Sequence, residues 1–583
     1  MADTTQFLRG VPASPGVCIG KAFLLDSEEI TIPRRHITPE EIPQEIARFE
    51  EALIRTRQEV LEIQRRIAQE LDVQHAEIFN AHLLVLEDRA LIEEVVARLK
   101  ADQLTVECIF FDVLKRYVRA FSRVEDEYLR ERTSDVEDVG KRVLRQLLGH
   151  QRRSLADLRE PVIVIAYDLS PSDTATMHRE HVIGFATDIG GRTSHTAIMA
   201  KSLEIPAVVG LEDVTQRVKS DDWLIVDGTT GVVIVNPDEA TRKTYEDLRA
   251  RLQALDQTLL QLKDLPAETQ DGRRVTLAAN IEMPNEVSSV IAHGGEGIGL
   301  YRTEFFYLNR ADLPTEDEQF EAYRTVAQAV APHPVVIRTL DLGGDKFASS
   351  LKMPHEMNPF LGWRAVRFCL ARPDIFKVQL RAILRASTYG AVKMMYPLIS
   401  GVEEVRQANQ LLEEAKEELR THGIPYNAEM EVGAMIEVPS AALTCDILAK
   451  EVQFFSIGTN DLIQYALAVD RVNEKIAYLY EPAHPAVLRL VKMIVDAGHA
   501  ANLWVGMCGE MAGEPAMTLL LLGLGLDEFS TSPVNIPKVK QVVRSVSMPQ
   551  VRQLAQQALA LNTAKEVEEF ATAQMLALVK ELT

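Results

Sequence analysis

Residues 431–461 read EVGAMIEVPSAALTCDILAKEVQFFSIGTND, and this stretch decides the fold of the C-terminal half. The runs Glu431–Glu437 and Phe454–Asp461 are short and apolar, which is typical of buried strands. The residues between them favour a helix. A strand, a helix and a second strand in this order predict a βαβ unit with two parallel strands.

The same alternation continues on both sides of this unit, from about residue 266 to residue 583. Eight apolar runs are predicted as strands: Val275–Ile281, Gly297–Arg302, Pro334–Leu340, Ala391–Pro397, Glu431–Glu437, Phe454–Asp461, Leu503–Cys508 and Asp527–Ser530. Eight strands with intervening helices predict a (β/α)₈ TIM barrel over residues 266–583, whose active site would lie at the carboxyl ends of its strands.

The N-terminal half has a different pattern and makes the chain an α/β protein of several domains. Short strand-like runs flank a block of charged amphipathic helices, and they are Gly16–Leu25, Pro161–Ala166, Val182–Thr187 and Trp223–Asn236. We predict a small, discontinuous α/β domain at residues 1–25 and 150–237, with a helical domain inserted at 26–149. The charged helical stretch at residues 238–265 is predicted to link this half to the barrel.

The composition fits a globular chain of this kind. The 583 residues include 63 basic and 85 acidic side chains, for a formal net charge of −22, and 46% of them are hydrophobic. The acidic balance argues against nucleic acid and anionic lipid as partners. The N-terminus lacks the apolar core of a signal peptide and no long apolar run follows, so we expect a cytoplasmic protein with no direct membrane insertion.

Reactive side chains fall late in the predicted strands of the barrel. They are Arg302, Arg338, Glu437, Asn460, Asp461 and Cys508. Any one of them could be a capping or surface residue. As a set they predict an active site at the barrel mouth. Glu437 and Asp461 could ligate one hard cation together with substrate oxygens, and Mg²⁺ fits oxygen-only ligation of this kind.

A second constellation is GGRTSHTAIMAKSLEIPAVVG, residues 190–210. Its glycine pair and hydroxyl residues precede an apolar helical run, which places His195 at the start of a helix. Free backbone N–H groups and the helix dipole favour negative charge there, so the position is suited to holding a phosphorylated imidazole. A structural or capping role for this histidine is the alternative.

This segment closely resembles the phosphohistidine signature of phosphoenolpyruvate-utilising enzymes. Blocks in the barrel half, among them GIGLYRTEFFYL, RTLDLGGDK, FFSIGTNDLIQYALAVDR and GMCGEMAG, are similar to those of enzyme I, the phosphoenolpyruvate-protein phosphotransferase of the bacterial sugar phosphotransferase system. The likeness runs from about residue 8 to residue 545. It implies that the discontinuous domain carries the phosphohistidine and that the inserted domain binds the phosphocarrier protein HPr.

The resemblance also implies a role for each candidate side chain. His195 would be the phosphorylated residue and Cys508 the proton donor to the enolpyruvate carbon. Phosphoenolpyruvate would be held by Arg302, Arg338 and Arg471, with Arg364, Asn460 and Asp461 as further contacts, while Glu437 and Asp461 would bind Mg²⁺. A homodimer formed through the barrel is a further expectation from the family.

Three alternatives remain beside this interpretation. A pyruvate phosphate dikinase or phosphoenolpyruvate synthase shares both regions of likeness, although it needs an ATP-binding domain that this chain does not offer. A non-catalytic regulator that binds phosphoenolpyruvate would be favoured by loss of a reactive residue, and none is lost. The nitrogen-type paralogue of enzyme I carries an additional sensory domain.

Overall fold

We analysed a computed structural model of the chain, which divides into two units, Met1–Gln253 and Ala254–Thr583. The structure describes residues 5–25, 32, 34–70, 82–121, 127–149, 155, 158–169, 180–190, 197, 200, 204–307, 312–343, 356, 358–471, 473 and 475–579. The division falls inside one helix, Glu239–Leu260, which lies in the stretch predicted to be helical. Within the described ranges, every helix is too short or too polar to cross a bilayer.

The first unit contains an eight-stranded sheet. Its strands are β1 (Gln6–Arg9), β2 (Val11–Ser14), β3 (Val17–Leu24), β4 (Val162–Ala166), β5 (Val182–Thr187), β6 (Ala207–Val209), β7 (Trp223–Asp227) and β8 (Val232–Val235). The predicted run Trp223–Asn236 is two strands, because the Asp227 carboxylate accepts hydrogen bonds from the amides of Thr229 and Thr230, both at 3.0 Å, and turns the chain. The sequence did not predict β1, β2 or β6.

The strand order is β1-β8-β7-β3-β4-β5-β6-β2, with β3 to β6 parallel to one another. Alternate residues of β4 are buried on opposite faces of this sheet, Ile163 in one apolar cluster and Val164 in another. A strand buried on both faces reads as a continuous apolar run, which is why the sequence predicted this one.

In the part of the chain that the structure describes, four helices lie between β3 and β4, which are neighbours in the sheet. They are α1 (Ile42–Glu70), α2 (Arg89–Asp102), α3 (Val106–Phe121) and α4 (Glu127–Leu148). Asp88 caps α2 by accepting hydrogen bonds from the amides of Ala90 and Leu91 at 2.8 and 3.3 Å. The helices share a core of their own in which the rings of Phe49 and Phe110 lie 5.4 Å apart.

The second unit is a closed barrel of eight parallel strands, as predicted. The strands are β9 (Thr276–Ile281), β10 (Ile298–Tyr301), β11 (Val335–Arg338), β12 (Val392–Tyr396), β13 (Val432–Ile436), β14 (Phe454–Ile457), β15 (Trp504–Met507) and β16 (Glu528–Thr531). All eight predicted strands are present. The prediction was wrong about the end of β14, because Gly458 ends the strand and the helix Thr459–Leu467 begins directly after it.

Helices and short 3₁₀ turns surround this barrel. Among the described residues of this unit, the α-helices are Val287–Ala292, Glu316–Ala329, Ala365–Ala371, Pro373–Ala386, Val402–Thr421, Pro439–Leu443, Cys445–Leu448, Thr459–Leu467, Pro485–Ala500, Pro515–Leu524, Ile536–Arg544, Met548–Leu559 and Ala564–Leu578. The first unit has a further short helix, Val214–Arg217. The 3₁₀ turns are Pro284–Glu286, Glu304–Tyr307, Pro359–Leu361, Ala477–Leu479, Glu510–Gly513 and Pro533–Asn535.

The interior of the barrel is packed with side chains. Leu300, Val336, Met395, Met435, Phe454 and Cys508 form one buried cluster there, whereas alternate residues such as Val335 and Ile337 pack outward against the helices. Because the interior is filled, polar side chains at the carboxyl ends of the strands face the barrel mouth, where a TIM barrel places its chemistry.

Candidate active site

Arg338 is the last residue of β11 and forms the centre of a charged network at the barrel mouth. Its Nη2 lies 2.7 Å from Glu304 Oε1, and its Nη1 lies 2.8 Å from Asp341 Oδ2. Only 11% of the Arg338 side chain is exposed. A buried guanidinium held by two carboxylates is fixed in position before any substrate arrives.

Asp341 and Asp461 connect Arg338 to two further arginines. Asp341 Oδ1 lies 2.7 Å from Arg364 Nη2, and Arg364 Nη1 lies 3.4 Å from Asp461 Oδ2. The other oxygen of Asp461 lies 3.6 Å from Arg471 Nη2. The network thus brings together the predicted residues Arg338, Arg364, Asp461 and Arg471.

Arg302 joins the site from the end of β10. It forms an ion pair with Glu282, and about a third of its side chain, 34%, is exposed. Burial and the positive charge of Arg338 oppose the charge of Arg302, although Glu282 and Glu304 outweigh them and raise the pKa of Arg302 above its ordinary value. Clustered cations of this kind are suited to an anion that carries several negative charges.

The network leaves two buried guanidinium donors without a partner in the described part of the protein. Burial opposes the charge of Arg338, but the carboxylates of Asp341 and Glu304 outweigh it and raise the pKa of Arg338 above its ordinary value. The buried Nε atoms of Arg338 and Arg364 have no hydrogen-bond partner among the described residues. A buried donor without a partner is costly, so a bound anion would satisfy groups that the protein alone does not.

Glu437 directly follows β13 and is only 3% exposed. Its Oε1 accepts a hydrogen bond from the Leu398 amide at 2.6 Å. Burial, together with the negative charge of Asp461, raises the pKa of Glu437 to about 8. Two buried carboxylates that repel each other in this way are a donor set that a hard cation would stabilise.

The surroundings of Glu437 are compatible with Mg²⁺. A Cβ added at Gly458 would lie 2.6 Å from Glu437 Oε2, so only glycine leaves room for this carboxylate at the start of the following helix. In the part of the chain that the structure describes, no group of three or more His, Cys, Asp or Glu side chains is placed to hold a metal ion. Mg²⁺ is commonly held by one or two carboxylates, with substrate oxygens and water completing its coordination, so a pair suffices.

Asn460 and Asp461 lie in the first turn of the helix Thr459–Leu467 and do not end a strand. The helix brings Asp461 to the mouth, where it is 5% exposed, and turns Asn460 toward the next loop. Asn460 Oδ1 accepts a hydrogen bond from the Glu510 amide at 3.0 Å, and its carbonyl accepts one from the Tyr480 hydroxyl at 3.3 Å. Asn460 therefore connects the loops after β14 and β15.

Cys508 follows β15 and is 3% exposed. Its amide donates to the Ile457 carbonyl at 3.1 Å, and its thiol approaches the same oxygen at 3.8 Å. Burial raises the pKa of Cys508 to about 11, although a hydrogen bond from Ser456 and the charge of Arg338 lower it in part. The thiol is thus protonated at neutral pH, as a proton donor must be. The other four cysteines are free and buried.

Three residues that organise this site were not predicted from the sequence. Asp341 and Glu304 orient the arginines, and the Asn280 Nδ2 donates to the carbonyl of Cys508 at 2.9 Å. Asp341 lies three residues after a strand-ending arginine, and Asn280 interrupts an apolar strand close to its carboxyl end. A polar residue near the carboxyl end of a predicted barrel strand is a candidate site residue, so both could have been identified from the sequence.

His195 lies outside the described residues. Two hydrogen bonds fix Asp188, which lies just before the segment that contains His195. The Asp188 carboxylate accepts one from the Thr215 amide at 3.0 Å, and the Asp188 carbonyl accepts one from the Glu212 amide at 2.8 Å. The segment thus follows from the carboxyl end of β5, a buried parallel strand. The role of His195 stays a prediction.

With phosphoenolpyruvate, the substrate that the sequence resemblance implies, we expect Arg338→Lys to lower kcat/KM by about 10- to 100-fold, because an ammonium cannot reproduce the forked contacts of a guanidinium. Steady-state kinetics would measure this loss. Arg406→Lys is the matched control, since Arg406 is 61% exposed and pairs with Glu451 away from the mouth. Equal kinetics for both variants would show that Arg338 does not bind substrate.

Comparison with known proteins places these features in a family. Residues 9–132, 158–231 and 256–548 match, respectively, the N-terminal, mobile and PEP-binding domains of PEP-utilising enzymes. The chain is 46% identical over 560 residues to the phosphoenolpyruvate-protein phosphotransferase of Staphylococcus carnosus (strain TM300), covering 96% of this chain and 97% of that protein. It is 47% identical over 566 residues to the protein of that name from Priestia megaterium, covering 97% and 98%. The chain therefore belongs to the phosphoenolpyruvate-protein phosphotransferase family.

Proposed function

We propose that this protein transfers the phosphoryl group of phosphoenolpyruvate to its own His195 and then to a histidine of the phosphocarrier HPr, releasing pyruvate. This is the first step of sugar uptake by the phosphotransferase system. The observation that carries the proposal is the network of Arg338, Arg364 and Asp461 beside the buried thiol of Cys508. It combines anion binding with a proton donor, and family membership supports the same activity.

In the proposed reaction the arginines bind the phosphate and carboxylate oxygens of the substrate. The imidazole of His195 attacks phosphorus in line, so that an N–P bond forms while the bond between phosphorus and the enol oxygen breaks. Positioning and neutralisation of charge lower the barrier of such a transfer. The enolpyruvate that leaves takes a proton at C3 from the thiol of Cys508, which gives pyruvate.

Mg²⁺ is the proposed cofactor, held by Glu437 and Asp461. When bound, it would neutralise negative charge on the phosphoryl oxygens. The protein's own contribution is to keep both carboxylates buried and close enough for the charge of Asp461 to raise the pKa of Glu437.

Two variants test this metal site. We expect Glu437→Gln and Asp461→Asn to raise the Mg²⁺ concentration needed for half-maximal activity by at least about 10- to 100-fold, the cost of losing even an outer-shell partner of a metal. Mg²⁺ titration of pyruvate formation measures the effect. Asp446→Asn, an exposed carboxylate on a helix behind the barrel, is the control. Unchanged Mg²⁺ dependence in both site variants would remove these residues from the site.

The proposal also assigns a role to each domain of the chain. Residues 1–25 and 150–237 would present the phosphohistidine, 26–149 would bind HPr, and 238–265 would act as a helical linker. Residues 266–583 would bind phosphoenolpyruvate and form a homodimer. We place the protein in the cytoplasm, where HPr and phosphoenolpyruvate would both be available.

The test is to incubate the protein with phosphoenolpyruvate labelled in its phosphoryl group and Mg²⁺, and then to add HPr. Acid-labile label should appear on the protein and move to HPr, with pyruvate formed in equal amount. A dikinase or synthase would instead pass the label to nucleotide when AMP is supplied together with pyrophosphate or inorganic phosphate. A regulator would bind phosphoenolpyruvate without releasing pyruvate, and either outcome would overturn the proposal.

A further inference from the structure

Glu528, the first residue of β16, is a buried carboxylate that the proposed reaction does not use. It is 7% exposed. Among the described residues, its carboxylate takes part in no hydrogen bond or ion pair. A carboxylate kept inside a barrel without a partner is expensive, which indicates a purpose other than stability.

Two glycines make room for this side chain inside the barrel. A Cβ added at Gly299 would lie 2.7 Å from Glu528 Oε1, and one added at Gly506 would lie 3.2 Å from the same oxygen. Gly299 belongs to β10 and Gly506 to β15, so the carboxyl group occupies interior space that side chains on both strands would otherwise fill.

Glu528 lies in the same layer of the barrel as a residue that contacts Cys508. Gly506 pairs with Glu528 on one side and with Ser456 on the other. Two strand spacings place the Cα atoms of Ser456 and Glu528 about 10 Å apart, a gap that a glutamate side chain largely spans. Ser456 in turn forms a side-chain hydrogen bond with Cys508.

The charges around Glu528 suit a group that both holds and releases a proton. Burial raises the pKa of Glu528 to about 7; Lys393 on β12 lowers it in part, and Asp527 raises it. Lys393 also pairs with Glu431 at 2.8 Å, and 40% of the Glu431 side chain is exposed at the amino-terminal end of the barrel. The charged groups that face Glu528 thus lie toward the end of the barrel opposite to the mouth.

If Cys508 protonates enolpyruvate, it needs a proton donor that restores its thiol afterwards. This requirement rests on the proposed function. Each turnover breaks the S–H bond, forms the C3–H bond of pyruvate and leaves a thiolate. That thiolate is nearly enclosed by protein, so its reprotonation requires a donor within the barrel or water that enters after product leaves.

We propose that Glu528 supplies the proton that restores the Cys508 thiol after each turnover, with the hydroxyl of Ser456 as the relay. The Glu528 side chain, which holds no hydrogen bond of its own among the described residues, turns toward Ser456; Ser456 gives its proton to the sulfur and accepts one from the Glu528 carboxyl group, so Cys508 becomes a thiol and Glu528 a carboxylate. Water at the amino-terminal end of the barrel then returns a proton to Glu528. Glu528 acts through Cys508 and does not touch the substrate.

Rapid-quench measurement of pyruvate with Glu528→Gln tests the relay at pH 7, with HPr in excess. The first equivalent of pyruvate should form at the parental rate, because Cys508 begins protonated. Later turnovers should be slower by about tenfold or more, the range that a lost proton transfer costs. Glu429→Gln, an exposed carboxylate outside the barrel, should behave like the parent throughout.

Several outcomes would overturn the relay. Parental rates in every turnover would mean that water restores the thiol directly. An equal slowing of the first and later turnovers, or a lowered melting temperature, would indicate a structural role. If no label reached His195 in the parent protein, the proposed function itself would fail. That result is distinct from the outcomes that contradict the relay alone.

Ser456→Ala gives an independent check, because it removes the hydroxyl and leaves Glu528 in place. It should slow later turnovers as Glu528→Gln does, and the double variant should be no slower than either single one, since both interrupt one path. Later turnovers of the parent should also slow as the pH rises above about 7, where Glu528 loses its proton. Additive losses, or the same pH profile in Glu528→Gln, would contradict the relay.

Discussion

Replacement of His195 with alanine should abolish the transfer of labelled phosphate from phosphoenolpyruvate to the protein. The sequence places the imidazole of His195 at a predicted helix start, where it is suited to accept a phosphoryl group. Loss of an essential nucleophile costs about 10⁴-fold or more, which puts residual labelling below detection. Gels of samples quenched at alkaline pH, with counting of base-stable label, would measure the result.

A second histidine in the same unit provides the control for this experiment. His181 lies immediately before β5, so His181→Ala tests for nonspecific damage to the sheet near the His195 segment. We expect that variant to label normally. Acid-labile phosphate on His195→Ala would show that another residue is the acceptor, and the assignment of the shuttle residue would then be wrong.

Replacement of Cys508 with alanine should separate phosphoryl transfer from proton transfer. Cleavage of the phosphorus–oxygen bond does not require protonation at carbon, so His195 should still acquire label and exchange it with phosphoenolpyruvate. Pyruvate formation should fall by about 10²- to 10⁴-fold, the range that general acid catalysis contributes. Parallel assays of label and pyruvate on one sample would show the difference.

Cys508→Ser tests whether the sulfur itself matters, because serine is similar in size and a far weaker acid at this position. If Cys508 only packs against Ile457, the serine variant should run nearly as fast as the parent. Stereospecific protonation of pyruvate at the parental rate in either variant would remove the donor role. The phosphotransferase activity would be unaffected by that conclusion.

The barrel could be predicted because its strands are buried on both sides and therefore read as unbroken apolar runs. The sheet of the first unit was harder to predict, since β1, β2 and β6 have only three or four residues each and lack a pattern of their own. Asn460 and Asp461 were assigned to a strand because the apolar run before them does not reveal that Gly458 ends it.

The candidate site was predicted only in part, for a physical reason. Arginines at strand ends stand out, but Glu304 owes its importance to an ion pair with Arg338 in a different loop, and a pair across loops leaves no local pattern. Glu528 resembles any charged residue at the start of a strand. Its burial between Gly299 and Gly506 depends on closure of the barrel, which brings distant strands together.

The position of the four helices between β3 and β4 also has a consequence for how the chain folds. Lys21 pairs with Val162, so two partners in adjacent strands lie 141 positions apart in the chain. Closing a flexible loop of that length carries an entropic cost and slows assembly, because distant contacts reward the chain only after the loop closes. Helices α1 to α4 have their own apolar core, and their condensation shortens the effective loop. Local helix formation therefore favours subsequent pairing of the sheet, so a destabilised helical block would slow the folding of strands that it does not contain.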